Sequence, residues 1–149
     1  MVRRMRTREF LSQLDHNRIV GAIREAEAKT SGQIRVYVQR GELAGDPVIE
    51  AQEQFQRLGM QATKERNGVL IFVLPRARKL AVLGDEGIHQ KCGNEFWQQL
   101  VERMRAHFQN ENFTDALVEA IGEAGQLLAR HFPKTSAPRN ELPDEIIEG

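Results

Sequence analysis

Asp85 and Glu86 stand side by side between two glycines in the run Gly84-Asp85-Glu86-Gly87, and His89 follows three residues on. Adjacent carboxylates can hold a divalent cation, or they can cap a helix whose dipole favours negative charge at its start. Which of these applies depends on what the fold brings alongside. Asn67, just ahead of Gly68, and Glu27 are the further oxygen donors, and Arg66 and His89 are the basic groups closest in sequence. Cys92 is the single cysteine, so no internal disulfide can form and a cysteine-based zinc site lacks its thiols.

The chain that must position these groups has 149 residues, the size of one domain with a two- or three-layer core. Its 21 basic and 21 acidic residues cancel, which argues against a general nucleic-acid binder. One Trp and one Tyr give no platform for base stacking. Arg3, Arg4, Arg6 and Arg8 crowd the start, but no apolar run of signal-peptide length follows them. No stretch approaches the ~20 apolar residues of a membrane span. The expectation is a cytoplasmic protein without an integral membrane segment, with the early arginines in solvent rather than on lipid or a partner.

Phe10, Leu11 and Leu14 mark a short first helix, and Asp15 caps a longer one with Ile19, Ala22, Ile23 and Ala26 inward. Arg24, Glu25, Glu27 and Lys29 are expected on its wet side. "QIRVYVQ" alternates, which predicts a strand. Asp46-Pro47 opens a helix whose buried stripe is Val48, Ala51, Phe55 and Leu58, stopped by Gly59. Six apolar residues from Val69 to Leu74 suit a central strand covered on both faces. Pro75 ends that strand, and the short "PRAR" implies an antiparallel return from Lys79 to Leu83. Its basic tip could hold a phosphate or an acidic partner, but a solvated hairpin tip is the favoured reading.

Cys92, Phe96, Leu100, Met104 and Phe108 recur at i+4 with Trp97 and Val101 beside them. Thr114 is the expected cap of a last helix with Leu117, Ile121, Ala124 and Leu128 inward. The order helix, strand, helix, strand, strand, helix, helix predicts an α/β fold. Its form is a three-layer α/β/α sandwich with a small mixed sheet, the first two strands parallel through a right-handed crossover. Residues 1–132 form this domain, and 133–149 are expected to be extended or disordered, with Ile146 and Ile147 as the docking residues of that tail.

Thr30-Ser31-Gly32 leading into an alternating strand, Asn67-Gly68-Val69-Leu70 leading into an apolar one, and Arg78-Lys79 opening a return strand that ends at Gly84 together resemble the TPM domain. These are the thylakoid-lumen-phosphatase-like proteins of bacteria and plastids. The helix with Trp97 and the one after Phe113 sit where that family has them, and the match spans roughly Leu14 to Phe132. The ending "NELPDEI" is similar to the soluble, single-domain bacterial branch. The resemblance implies an α/β/α sandwich, calcium binding reported in some members and a disputed acid phosphatase activity. Where the family has Gly-x-Gly after its third strand, this chain has Gly84-Asp85-Glu86-Gly87. The secretion signal and trailing membrane segment common in relatives are not seen.

Phosphate-ester chemistry finds little to work with. A cysteine phosphatase needs an Arg a fixed few residues after its thiolate, and Cys92 is followed by Gly-Asn-Glu-Phe-Trp-Gln on a buried stripe. Asp85-Glu86 lacks the spacing of paired aspartates in aspartyl-phosphate enzymes, and Gly-x-Ser-x-Gly is absent. His89 could be an acid–base group, a ligand or a solvated cap. The strand directions bring Asn67, Asp85 and Glu86 to one end of the sheet, near Ser31 and Glu27. Asp85, Glu86, Asn67 and Glu27 are therefore the candidate ligands of Ca²⁺ or another divalent cation, which takes six to eight oxygens. The alternative is a turn at Asn67-Gly68 and a helix cap at Asp85-Glu86, with Arg66 or His89 offsetting the charge. The leading functional expectation is a non-catalytic, calcium-responsive binding module for a protein partner. The others are a weak metal-dependent acid phosphatase, with water activated at the same acidic groups, and a peripheral adaptor recruiting partners through its basic start and acidic tail.

Overall fold

The computed structural model describes residues 5–41, 45–134 and 146–149. Ten elements follow in order: α1 (Thr7–Ser12), α2 (His16–Glu27), β1 (Gln33–Val38), α3 (Pro47–Arg57), β2 (Gly68–Leu74), β3 (Lys79–Gly84), α4 (Glu86–Cys92), α5 (Glu95–Gln109), α6 (Phe113–His131) and β4 (Ile146–Glu148). Short 3₁₀ turns lie at Met60–Ala62 and Pro75–Ala77. The sheet runs β3-β2-β1-β4, with β1 parallel to β2 and β4, and β3 antiparallel to β2.

β2 lies between β1 and β3, and Val69 to Leu74 are wholly buried. Each such side chain gains about 1.5–3 kcal/mol on leaving water, so the run is stable only with cover on both faces. Ile34, Val36, Val38, Val69, Ile71, Val73, Leu80 and Val82 face a broad helical layer made by α1, α2, α5 and α6. Tyr37, Leu70, Phe72, Leu74 and Ala81 face the other way, onto Ala51 and Phe55 of α3 and onto Met60. The sandwich has three layers, as expected.

Asp15 caps α2 by accepting from the Arg18 N–H, and Asp46 caps α3 by accepting from the Val48 N–H, with Pro47 in the first turn. Other expectations are corrected. Val48 is 41% exposed, because α3 presents only Ala51, Gln54 and Phe55 inward. Thr114 does not cap α6, which starts at Phe113 behind Asn112; its hydroxyl instead accepts from the Asp15 N–H at 3.1 Å. Cys92 and Phe96 belong to different helices, since Gly93, at φ 73°, ends α4 in a conformation that favours glycine. Glu27 is buried rather than on the wet side of α2.

The far end of α6 is clasped to the α2–β1 connection. The Phe132 carbonyl accepts from the Ser31 N–H at 3.0 Å and from the Thr30 hydroxyl, and Thr30 and Pro133 form an antiparallel bridge. Of the tail 133–149, residues 135–145 lie outside the described residues, and Ile146–Glu148 form β4. Arg3 and Arg4 also lie outside them. Among the described residues, no helix is long and apolar enough to cross a membrane.

Candidate functional site

Three passages of chain meet where β1 and β2 begin and β3 ends: Thr30–Gly32, Thr63–Asn67 and Asp85–Gly87. Parallel β1 and β2 must start at the same end, and antiparallel β3 must finish there. Loop backbone outside the ladder still has polar groups that need partners, from side chains or from neighbouring loops. Asn67 is buried; its backbone N–H donates to Thr63 Oγ1 at 3.2 Å, and its carbonyl accepts from the Gln33 N–H at 3.4 Å. The Asn67 amide donates to Ser31 Oγ at 3.1 Å, and the Ser31 hydroxyl donates to Glu65 Oε1 at 3.1 Å.

Asp85 caps α4, its Oδ1 accepting from the Glu86 N–H at 2.7 Å. The same carboxylate takes a fork of two bonds from Arg66, Nε to Oδ2 at 2.8 Å and Nη2 to Oδ1 at 2.9 Å. Arg66 Nη1 lies 3.6 Å from Glu86 Oε2, so one guanidinium serves both carboxylates. Hydrogen bonding to Asp85, followed by its charge, raises the Arg66 pKa further above its already high value. Arg66 has φ 52°, a left-handed conformation that costs a non-glycine residue roughly 1–3 kcal/mol and is kept only where the surroundings demand it. Here it occurs in the residue that reaches the buried Asp85.

Gly87 fixes the loop from the other side. Its N–H donates to the Arg66 carbonyl at 2.8 Å, and a Cβ at position 87 would lie 2.6 Å from that oxygen. Only a residue without a side chain lets this backbone approach so closely.

The predicted ligands thus divide. Asp85 and Glu86 are joined through Arg66, and Asn67 is joined through Ser31 to Glu65. Glu27, in the last turn of α2, turns its carboxylate onto β1, where Oε2 accepts from the Ile34 N–H at 2.8 Å. Among the described residues, no group of three or more His, Cys, Asp or Glu is arranged to hold a metal ion. His89 has its Nδ1 3.1 Å from Asn94 Oδ1. Cys92 is half-buried at the end of α4, and desolvation pushes its thiol pKa up, away from nucleophilic use.

A cleft of about 260 Å³ opens beside the Arg66–Asp85 pair, lined by Gln52, Phe55, Gln56, Gln61 and Leu83. The Arg66 side chain is 45% exposed and the Asp85 side chain 6%, so the arginine faces solvent while the carboxylate it holds sits beneath. Thr63, Glu65 and Gly87 complete the arrangement without having been read from the sequence as members of the site. Gly87 left the clearest signal, a second glycine three residues after Gly84.

The TPM domain family model matches residues 5–127. No curated protein matches the chain. Seven chains of solved structures do. One is the NMR structure of the BA42 protein from the psychrophilic bacterium Bizionia argentinensis, with a TM-score of 0.82 and 36% identity over 90% of this chain and 92% of that one.

Proposed function

The chain belongs to the TPM domain family, and on that premise we propose that it is a non-catalytic binding module, its recognition end formed by Arg66, Asp85 and Glu86, where Ca²⁺ competes with the Arg66 guanidinium. The supporting observation is the Asp85 carboxylate, buried yet held by a cation that is itself nearly half exposed. A desolvated carboxylate needs a positive partner from some source. As the site stands, both Asp85 oxygens are engaged by Arg66 and the Glu86 N–H, so a metal ion fits only in exchange for Arg66. Asp85 and Glu86 are then its carboxylate ligands. Asn67 and Glu27 hold the β2 loop and the start of β1 in place. Calcium, in this reading, frees an arginine beside the cleft and changes the charge shown to a protein partner.

The non-catalytic part is supported by the same inventory. The Ser31 hydroxyl is tied between Asn67 and Glu65, and the Cys92 thiol is disfavoured as a thiolate. The test is a calcium titration of wild type, Asp85→Asn and Arg66→Gln, followed by melting temperature and amide NMR shifts. Wild type should gain stability in proportion to the logarithm of calcium over its dissociation constant. Asp85→Asn should lose most of that gain, and Arg66→Gln should bind more tightly because the competitor is gone. No thermal shift at millimolar calcium, with no resonance moving at residues 65–67 or 85–87, would refute the exchange. Robust turnover of a coloured phosphate ester in excess chelator would refute the non-catalytic reading.

A further inference from the structure

β1 has a second neighbour that comes from far along the chain. Val36, Tyr37 and Val38 pair in parallel with Ile146, Ile147 and Glu148. The pairing continues past β4, the Gly149 N–H donating to the Val38 carbonyl at 3.1 Å and the Arg40 N–H to the Gly149 carbonyl at 3.0 Å. Each position has its own seat. Ile146 packs against the broad helical layer and Ile147 against the α3 side, while Glu148 Oε1 lies 3.7 Å from Arg40 Nη2. Gly149 lies directly against the Tyr37 phenol, and a Cβ there would overlap the ring.

The two partners are unequal. Val36, Tyr37 and Val38 are buried, whereas both isoleucines are half-buried and Glu148 and Gly149 are exposed. Without this segment, β1 would present unpaired backbone groups and apolar side chains, a ready template for another strand. The segment itself is a strand of three residues whose two isoleucines are only half-buried. A demanding edge with a short occupant is the setting for strand addition, where backbone bonds give affinity and alternate side chains give selectivity.

We infer that the outer edge of β1 is a strand-acceptor slot for an extended partner segment with two consecutive β-branched residues, an acid and a glycine, and that residues 146–149 are its resident ligand, displaced when the partner binds. The slot lies beside the last residues of β1, whereas Asn67 and Ser31 lie at its start, so the inference stands apart from the calcium reading. The chemistry comes from the seats themselves: an apolar contact on each face, Arg40 for the acid and Tyr37 excluding any Cβ.

A fluorescent peptide with the sequence of residues 144–149 serves as the probe, titrated into the wild-type chain and into full-length Ile146→Asp/Ile147→Asp. The double variant should bind at least about tenfold more tightly, because the resident no longer competes. Replacing the peptide's final glycine by valine should lose at least about tenfold, and on binding to the double variant, where the resident no longer covers it, the ring resonances of Tyr37, the single tyrosine, should move. A cooperatively folded double variant that binds no better than wild type would overturn the proposal, as would binding to that variant that leaves Tyr37 unmoved. Should the double variant fail to fold, Gly149→Val in the full chain releases the same seat. Its Val36 to Arg40 amides should shift and return on adding the wild-type peptide, and unshifted amides would overturn the slot. A wild-type dimer that the peptide converts to monomer would assign the slot to a second copy and overturn the partner proposed here.

Discussion

The two ends of the sheet are built by opposite means. At the end where β1 and β2 begin, side chains stitch three loops together through Arg66–Asp85, Thr63–Asn67–Ser31–Glu65 and Glu27–Ile34. At the other end, β2 and β3 are joined by a tight turn, and a cavity of about 320 Å³ is lined mainly by apolar residues, among them Met5, Phe10, Val73, Leu80, Phe108 and Phe113, together with Arg78, Lys79 and Arg105. The difference follows from topology. A parallel pair sends a long connection back to the starting end, and every irregular residue there has backbone groups to satisfy. A hairpin leaves few such groups, so apolar packing suffices.

Substitutions can break this contrast, and the largest effect is expected at the apolar end. Phe113→Ala removes a ring 5.0 Å from Phe10 and 5.1 Å from Phe108 and should cost about 3–5 kcal/mol in chemical denaturation. A loss below about 1 kcal/mol would show that the neighbouring cavity lets this end collapse freely. Gly87→Ala comes next: the Glu65 and Arg66 carbonyls block a methyl group, and about 1–3 kcal/mol should be lost while resonances of residues 63–67 shift. If that loop stays in place, the stitching is looser than described.

Glu27→Gln keeps the bond to the Ile34 N–H but not its charge, and should cost about 1 kcal/mol. The smallest effect concerns pH. Burial raises the Tyr37 pKa, so the folded chain holds that proton more tightly than the unfolded one. The resulting stability is fully present below about pH 10 and is lost as pH rises through the folded value. Tyr37→Phe should flatten that alkaline slope in a melting series.

Features carried by contiguous residues were legible in the sequence. The apolar run of β2, its hairpin return and the aspartate caps of α2 and α3 each stand on local patterns. Convergence of Asn67, Asp85 and Glu86 towards one end followed from strand direction alone. What stayed hidden depended on distant partners. The i+4 spacing runs unbroken from Cys92 to Phe96 because both residues pack on the same core, which conceals the break at Gly93. Thr114 looks like a cap until Asp15, 99 residues away, claims its hydroxyl. Glu27 reads as a surface charge because nothing local reveals that α2 ends over the Ile34 N–H. Arg66 was one of two basic candidates, and only its left-handed backbone and forked bonds single it out from His89.

The clasp between Thr30 and Phe132 also bears on the order of assembly. Arg66 and Asp85 are separated by 19 residues, Ser31 and Asn67 by 36, and Thr30 and Phe132 by 102. Closing the longest of these loops costs about 1.5 kcal/mol more chain entropy than closing the shortest, at ~0.6 kcal/mol per doubling. Hairpin and ion pair are therefore favoured to form early, with β1 added through its crossover and α6 fastened last. Substitution of Thr30 should then speed unfolding while leaving the refolding rate almost untouched.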